Sequence, residues 1–321
     1  MKLAFTLCSN NYLAQAITLG QSLKKTNQDI HFFIGLIDCV NEHLNYKAVN
    51  EVATLIPVDQ VMSEAQLSEL VAKYNIIELN TSVKPIFFKY FIKKYPELSS
   101  IYYLDPDIEV YSRFEILEQK LRTSSALLSP HFLTPLPLDG LLPQENLATN
   151  YGMFNLGFFA MNPLHAATQK ILDWWEERCL ANCFINEPQG IFVDQLYMNH
   201  IPIFFRDVTI LSEKGVNMAP WNLHDRQLVE IENEQYTLQN NEHLIFYHFS
   251  SYQFSKPEQI SKYYNRYNFS DFPLLKTLYA TYHNRVLANG YNEFSKSRCF
   301  YIKQIKTSLH RRIINKIKSF F

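Results

Sequence analysis

Ser100-Ile101-Tyr102-Tyr103-Leu104-Asp105-Pro106-Asp107 reads as a short buried β-strand that ends on two carboxylates. Isoleucine, two tyrosines and a leucine favour extended backbone packed in a core, and Pro106 stiffens the turn that follows. Working backwards, helix and strand patterns alternate. Residues 82–95 have a helical pattern with Pro85 in the first turn, residues 63–73 look helical, residues 53–61 contain a strand and residues 31–37 form another. Residues 12–25 carry apolar side chains at 13, 16, 17, 19 and 23, the spacing of a helix face, and residues 3–8 are a buried strand. This order predicts an α/β fold, a mainly parallel central sheet flanked by helices. In such sheets ligands bind beyond the carboxyl ends of the strands, where Asp105 falls.

Downstream the pattern is more mixed. Residues 153–161 read as an apolar strand, 164–180 as a helix with a Trp174-Trp175 pair, 192–200 as a short helix and 203–211 as a strand. Residues 228–238 suggest a hairpin and 243–249 a further strand. Residues 127–143 carry prolines at 130, 135, 137 and 143 and read as a loop. A structureless loop of that length in a compact domain is usually a lid or a binding loop.

Composition narrows the function. Of 321 residues, 47% are hydrophobic and 19% charged, so the chain can bury a large core and is not disordered. With only 8 glycines it has neither a G-x-G-x-x-G nor a G-x-x-x-x-G-K-[ST] loop, so a nucleotide bound here is held without a glycine cradle. G-x-S-x-G and H-E-x-x-H are also missing. Cys8, Cys39, Cys179, Cys183 and Cys299 are odd in number and form no C-x-x-C pair, which reads as reduced thiols in a cytoplasmic protein. Cys179 and Cys183, four apart on a helix, read as packing thiols. The apolar run at residues 3–8 is short for an export signal, and no stretch approaches the roughly 18 apolar residues of a membrane span. Residues 296–321 hold 8 Lys or Arg and no acid, which leaves the rest at a net charge of −9. An acidic body does not suit a nucleic-acid binder; its basic tail suits an anionic surface.

Carboxylates at i and i+2 share one face of a strand end. Two hard oxygen ligands there can hold Mg²⁺ or Mn²⁺, and such an ion can bridge the phosphates of a nucleotide. The same Asp-Pro-Asp is also ordinary turn chemistry.

With its context, the chain resembles the GT-A glycosyltransferases, in particular the retaining glycogenin and bacterial lipopolysaccharide galactosyltransferase type. Asn11-Tyr12 and Ser22-Leu23 resemble the opening strand–helix segment, and Lys84-Pro85 begins a helix ahead of the metal motif. Asp105-Pro106-Asp107 resembles the metal-binding D-x-D, Phe154-Asn155-Leu156-Gly157 the F-N-x-G strand, Val193-Asp194-Gln195 the D-Q pair and His248-Phe249 the final metal-binding histidine. The match runs over roughly residues 1–257, with the motifs in the family's order. It implies a GT-A-like domain at residues 1–270 and a basic, helical appendage at 271–321.

The resemblance assigns roles, each with a plainer alternative. Thr6, Asn11 and Tyr12 would hold the nucleotide, Tyr12 by stacking on the base; Tyr12 is equally a core aromatic. Lys84 would lie near the donor's sugar or phosphate; by default it is a solvated helix residue. Asn155 and Gly157 lie in a strand too apolar for the surface. Sugar hydroxyls could satisfy the buried amide, and a strand glycine often marks close approach of a ligand. Asp194 and Gln195 would sit beside the donor's anomeric carbon, Asp194 fixing the sugar and Gln195 presenting its carbonyl oxygen to positive charge in the transition state; alternatively Asp194 caps a helix. His248 would complete the metal set with Asp105 and Asp107, or is a satisfied core histidine. The family places a glycine three residues after this histidine, where Ser251 stands, and Lys256-Pro257 comes two residues late. Trp221-Asn222 with His224, Asp225 and Arg226 is a polar–aromatic cluster suited to a sugar or to a structural loop.

The function implied is metal-dependent transfer of a sugar from a nucleotide-sugar donor, a UDP-sugar above all, to a hydroxyl of a glycan or lipid-linked glycan in surface polysaccharide synthesis, with Mn²⁺ or Mg²⁺ as cofactor. Two other readings stay open. A sugar nucleotidyltransferase would carry a glycine-rich basic loop in residues 1–25, which hold one glycine and no arginine. A non-catalytic sugar-binding protein would need the aromatics but not the metal set. In the tail, Ile302, Ile305, Leu309, Ile313, Ile317 and Phe320 recur at spacings of three or four. That is one apolar stripe flanked by basic side chains, either docked on the body or lying on the anionic inner face of a membrane.

Overall fold

The computed structural model describes residues 1–301, so the apolar stripe of the tail lies outside the described residues. In chain order the strands are β1 (Lys2–Cys8), β2 (Ile30–Leu36), β3 (Thr54–Pro57), β4 (Ser100–Leu104), β5 (Ile108–Val110), β6 (Ala126–Pro130), β7 (Phe154–Met161), β8 (Ile185–Asn186), β9 (Ile191–Phe192), β10 (Val208–Ile210), β11 (Leu228–Glu232), β12 (Gln235–Leu238) and β13 (Phe246–His248). The helices are α1 (Leu13–Thr26), α2 (Lys47–Val52), α3 (Glu64–Lys73), α4 (Ile76–Ser82), α5 (Lys84–Lys94), α6 (Glu115–Leu121), α7 (Asn146–Tyr151), α8 (Thr168–Asn182), α9 (Ile201–Phe204), α10 (Pro273–Ala288) and α11 (Tyr291–Phe294).

Seven strands form the main sheet in the order β10-β6-β7-β4-β1-β2-β3. β3, β2, β1 and β4 run parallel, and β10 is parallel to β6. This is the mainly parallel, helix-flanked sheet that the sequence pattern implied. One strand departs from it: β7 is antiparallel to both of its neighbours. That reversal carries the start of β7 to the carboxyl end of β4. Leu104 pairs with Phe158, and the Asp105 amide donates to the Gly157 carbonyl at 2.7 Å.

Strand alternation sorts the core into two layers. Leu3, Phe5 and Leu7 of β1 and Ile101 and Tyr103 of β4 face the layer that holds Phe87, Phe88 and Phe91 of α5 and Trp175 of α8. Ala4, Cys8, Tyr102 and Leu104 face the layer that holds α1. Leu275, Leu278, Tyr279, Tyr282 and Val286 of α10 belong to that same layer. The described part of the expected appendage therefore shares a core with the sheet.

Two local readings are corrected. The expected loop at 127–143 opens with a strand, since Leu127 and Leu128 are fully buried in β6 between β7 and β10. The expected strand at 203–211 starts as the helical turn α9, with Pro202 in its first turn, and only Val208–Ile210 is extended. Among the described residues no helix is long and apolar enough to cross a membrane.

Candidate active site

Two chain segments bring the proposed metal ligands together. Asp105 follows β4, Asp107 comes after the Pro106 turn, and β13 pairs antiparallel with β5 so that His248 sits opposite Ile108. The Phe249 amide locks this register by donating to the Asp107 carbonyl at 2.9 Å. The ligand atoms of Asp105, Asp107 and His248 all lie within 4.8 Å of one another. His248 Nε2 is 3.2 Å from Asp107 Oδ1 and 3.8 Å from Asp105 Oδ2. Tyr103 Oη donates to Asp105 Oδ1 at 2.6 Å and so orients that carboxylate. Burial opposes a charge on His248, but the Asp107 and Asp105 carboxylates outweigh it and hold its pKa above the ordinary value. Two carboxylates and one imidazole suit a divalent cation such as Mn²⁺ or Mg²⁺.

Gly157 has a different partner from the one expected. A Cβ built there would stand 2.3 Å from His248 Cε1 and 2.6 Å from Nδ1. The close approach that needs a glycine comes from the histidine ring, so Gly157 makes room for His248.

Lys84 and Asp194 meet as a buried ion pair, Nζ to Oδ2 at 3.0 Å, with side-chain exposures of 4% and 1%. The Lys84 ammonium also donates to the Leu156 carbonyl at 3.0 Å and lies 4.5 Å from the centre of the Tyr103 ring. Burial disfavours its charge, yet Asp194 and Asp105 hold its pKa above the ordinary lysine value. Lys84 is thus neither a solvated helix residue nor a free phosphate contact: it ties α5, β7 and Asp194 together. Asp194 is aimed inward by Val193, whose φ of +40° is strained for a β-branched residue and is held by a bond from its amide to the Phe184 carbonyl at 2.9 Å.

Gln195 braces the same strand. Its Oε1 accepts from the Leu156 amide at 2.9 Å and its Nε2 donates to the Tyr151 carbonyl at 2.8 Å. The carbonyl oxygen expected to face the reaction is therefore engaged by β7. Asn155 Oδ1 accepts from the Gly157 amide and from Asn217 Nδ2, each at 3.1 Å. Protein groups, not only sugar hydroxyls, satisfy this buried amide.

Beside the metal set lies a cavity of about 260 Å³ walled by Tyr12, Phe249, Tyr252, Phe254, Tyr282 and Tyr291, with Asn11 and Gln15 at its polar edge and Asp107 on its border. Tyr12 is half exposed. Thr6, expected to hold the nucleotide, is fully buried, is not among the cavity's lining residues, and its hydroxyl has no partner among the described residues. Ser251 has a φ of +62°, the left-handed backbone that a glycine would favour at this position. Lys256 is not among the cavity's lining residues.

Around the site, His131, Asn217 and Asp38 carry no signal in the sequence, while the polar–aromatic cluster at 221–226 and the two helix cysteines are marked by it. Trp221 packs edge-on against His248 on one side and His131 on the other, with centroids 5.3 Å apart in each case. Asn222 Nδ2 donates to the Asn217 carbonyl at 3.0 Å, and buried Arg226 donates to the Val216 carbonyl. This cluster is therefore a scaffold that shapes the segment holding Asn217. Asp38 accepts from the Asn10 side chain, the Cys39 amide and the Phe300 amide, which fixes the chain just before Tyr12. Cys179 and Cys183 are buried free thiols, as packing thiols should be.

No family model matches the chain. It is similar to two uncharacterized proteins of Bacillus subtilis (strain 168): YfnF, 28% identical over 274 residues spanning 85% of this chain and 89% of that protein, and YfnD, 21% identical over 279 residues spanning 86% of each. Similar solved structures include the bifunctional glycosyltransferase WbbM (15% identity, 96% of this chain and 51% of that one, TM-score 0.49). Others are the Streptococcus pneumoniae TIGR4 glycosyltransferase GlyE (14%, 93% and 65%, TM-score 0.48) and the galactosyltransferase LgtC in complex with donor and acceptor sugar analogs (15%, 68% and 76%, TM-score 0.42).

Proposed function

We propose that this chain is a metal-dependent glycosyltransferase that moves a sugar from a UDP-sugar to a hydroxyl of a glycan or lipid-linked glycan, with retention of anomeric configuration, in surface polysaccharide synthesis. The observation that carries this reading is the meeting of Asp105 and Asp107, from one turn, with His248, from a distant strand, at the border of an aromatic-walled cavity. A divalent cation held by these three would offset the charge on a diphosphate leaving group. The aromatic cavity takes the base, with Tyr12 stacking on it and Asn11 and Gln15 at its edge. The sugar then extends past the metal set toward Asn155, Asp194 and Gln195. Burial raises the pKa of Asp194, Lys84 opposes that rise and holds the carboxylate in place, and Gln195 holds the strand that carries Asn155 and Gly157. Retention follows from the resemblance of the Asp194-Gln195 pair, and the lipid-linked acceptor from the basic, amphipathic tail.

The test is a thermal-shift screen of UDP, UDP-glucose, UDP-galactose and UDP-N-acetylglucosamine with and without Mn²⁺, followed by measurement of UDP release. A ligand at 100 times its Kd stabilises by about 2.7 kcal/mol. Metal-dependent stabilisation by a UDP-sugar and its slow turnover to UDP are expected. Stabilisation without turnover, with or without an acceptor glycan, would favour a non-catalytic sugar-binding protein.

A further inference from the structure

His131, at the end of β6, is buried at 3% exposure and belongs to none of the motifs that mark the site. Its amide is fixed by the Met153 carbonyl at 2.9 Å, and its Nδ1 lies 2.8 Å from the Gly152 carbonyl. A carbonyl can only accept, so Nδ1 carries the proton and Nε2 is left as a bare acceptor. Gly152 presents that carbonyl from a φ of +124°, and a Cβ there would also crowd Gln195 Cγ at 3.2 Å. The tautomer is therefore set by backbone that only glycine adopts readily.

Nε2 has one long hydrogen-bond partner. Among the described residues it meets only the Asn155 amide nitrogen, at 3.4 Å, and that nitrogen is also 3.4 Å from Gln195 Oε1. The oxygen of Asn155 is already taken by Gly157 and Asn217, which fixes the amide with its nitrogen toward these two acceptors. The ring itself is clamped by Trp221, which also packs on His248. A buried acceptor met only at 3.4 Å is weakly satisfied and gains from a nearer donor. This one lies beside Asn155, toward which the proposed donor sugar extends.

We infer that His131 determines specificity for the donor sugar: its Nε2 accepts a hydrogen bond from one hydroxyl of the glycosyl group. This rests on the transfer reading above. Burial keeps the imidazole neutral, with a pKa pushed down to about 4, so it reads a hydroxyl and does not act as a base near neutral pH.

The test is calorimetric binding of UDP and of the UDP-sugar that binds, with Mn²⁺, to the full wild-type chain, His131→Phe and His131→Gln. Deoxy analogues of that UDP-sugar, one hydroxyl removed at a time, complete the set. One neutral hydrogen bond corresponds to roughly a fivefold to tenfold change in Kd. His131→Phe should weaken the UDP-sugar by that factor and leave UDP within about twofold, and His131→Gln, which keeps an acceptor, should recover part of the loss. One deoxy analogue should bind wild type correspondingly worse and bind His131→Phe with no further penalty. Equal loss of UDP and UDP-sugar affinity, or the same deoxy penalties in wild type and His131→Phe, would overturn the assignment alone. A wild-type chain that binds neither UDP nor any UDP-sugar would overturn the transfer reading and this inference with it.

Discussion

Gly157 and His248 share one space: the imidazole of His248 occupies the position that a side chain at residue 157 would fill, 2.3 Å from its nearest ring atom. Contacts that short do not occur, so a methyl group must push the ring away from Asp105 and Asp107. Gly157→Ala is therefore expected to weaken Mn²⁺ binding by roughly tenfold to a hundredfold, the range seen when a neighbour that positions a metal ligand is lost. Titration of the variant with Mn²⁺ in the absence of nucleotide reads this directly. Unchanged affinity would remove His248 from the ligand set.

The buried Lys84–Asp194 pair makes a different demand. Removing one partner leaves the other charge buried and unpaired, at a cost of about 3–5 kcal/mol. Lys84→Met should lose stability on that scale in urea unfolding. Lys84→Met combined with Asp194→Leu should recover much of it, since a buried pair replaced by apolar groups is often neutral. The double variant should still release no UDP. If it retains activity, the pair serves the fold and not the reaction.

His131 also links the site to pH. Its pKa falls from 6.5 to about 4 on folding because burial disfavours the imidazolium. The contribution is fully present above pH 6.5 and is lost as pH falls toward 4, because the unfolded chain binds the proton and the folded chain does not. The shift corresponds to about 3 kcal/mol. Urea unfolding at pH 7 and at pH 4.5 should show a smaller loss for His131→Gln than for wild type. Equal losses would mean that the imidazole titrates normally in the folded protein.

Much of the site was legible because its residues lie at strand ends that the sequence marks clearly. Tyr102-Tyr103-Leu104 had to be buried strand, and an Asp-Pro-Asp after it had to lie at the sheet's carboxyl edge. The reversal of β7 was not legible. An apolar run has no direction, and only pairing with both β4 and β6 defines it. His131 and Asn217 were missed for a related reason. Each follows an unremarkable segment, and its role arises from Asn155 and Trp221, distant in sequence. Lys84 was found, but helical spacing could not show that its helix start is covered by β7 and Asp194.

The tail gives the last prediction, and the structure fixes where to cut. Tyr291 and Ser295 line the aromatic cavity. Beyond them the Phe300 amide donates to Asp38 at 2.8 Å, and Cys299 and Tyr301 are buried. A chain ending near residue 293 would lose part of that wall and would confuse binding with misfolding. A chain ending at Tyr301 keeps these contacts and removes only residues 302–321, which carry the apolar stripe and six of the eight basic side chains. Each Lys or Arg near an anionic leaflet adds about 1 kcal/mol of attraction. The full chain should therefore co-sediment with vesicles containing phosphatidylserine far better than the chain ending at Tyr301, and raised salt should release it. Both chains should bind Mn²⁺ and UDP alike, since the cavity is intact in each. Equal sedimentation of the two, or sedimentation indifferent to anionic lipid and salt, would remove the membrane surface as a partner and, with it, the structural reason for preferring a lipid-linked acceptor.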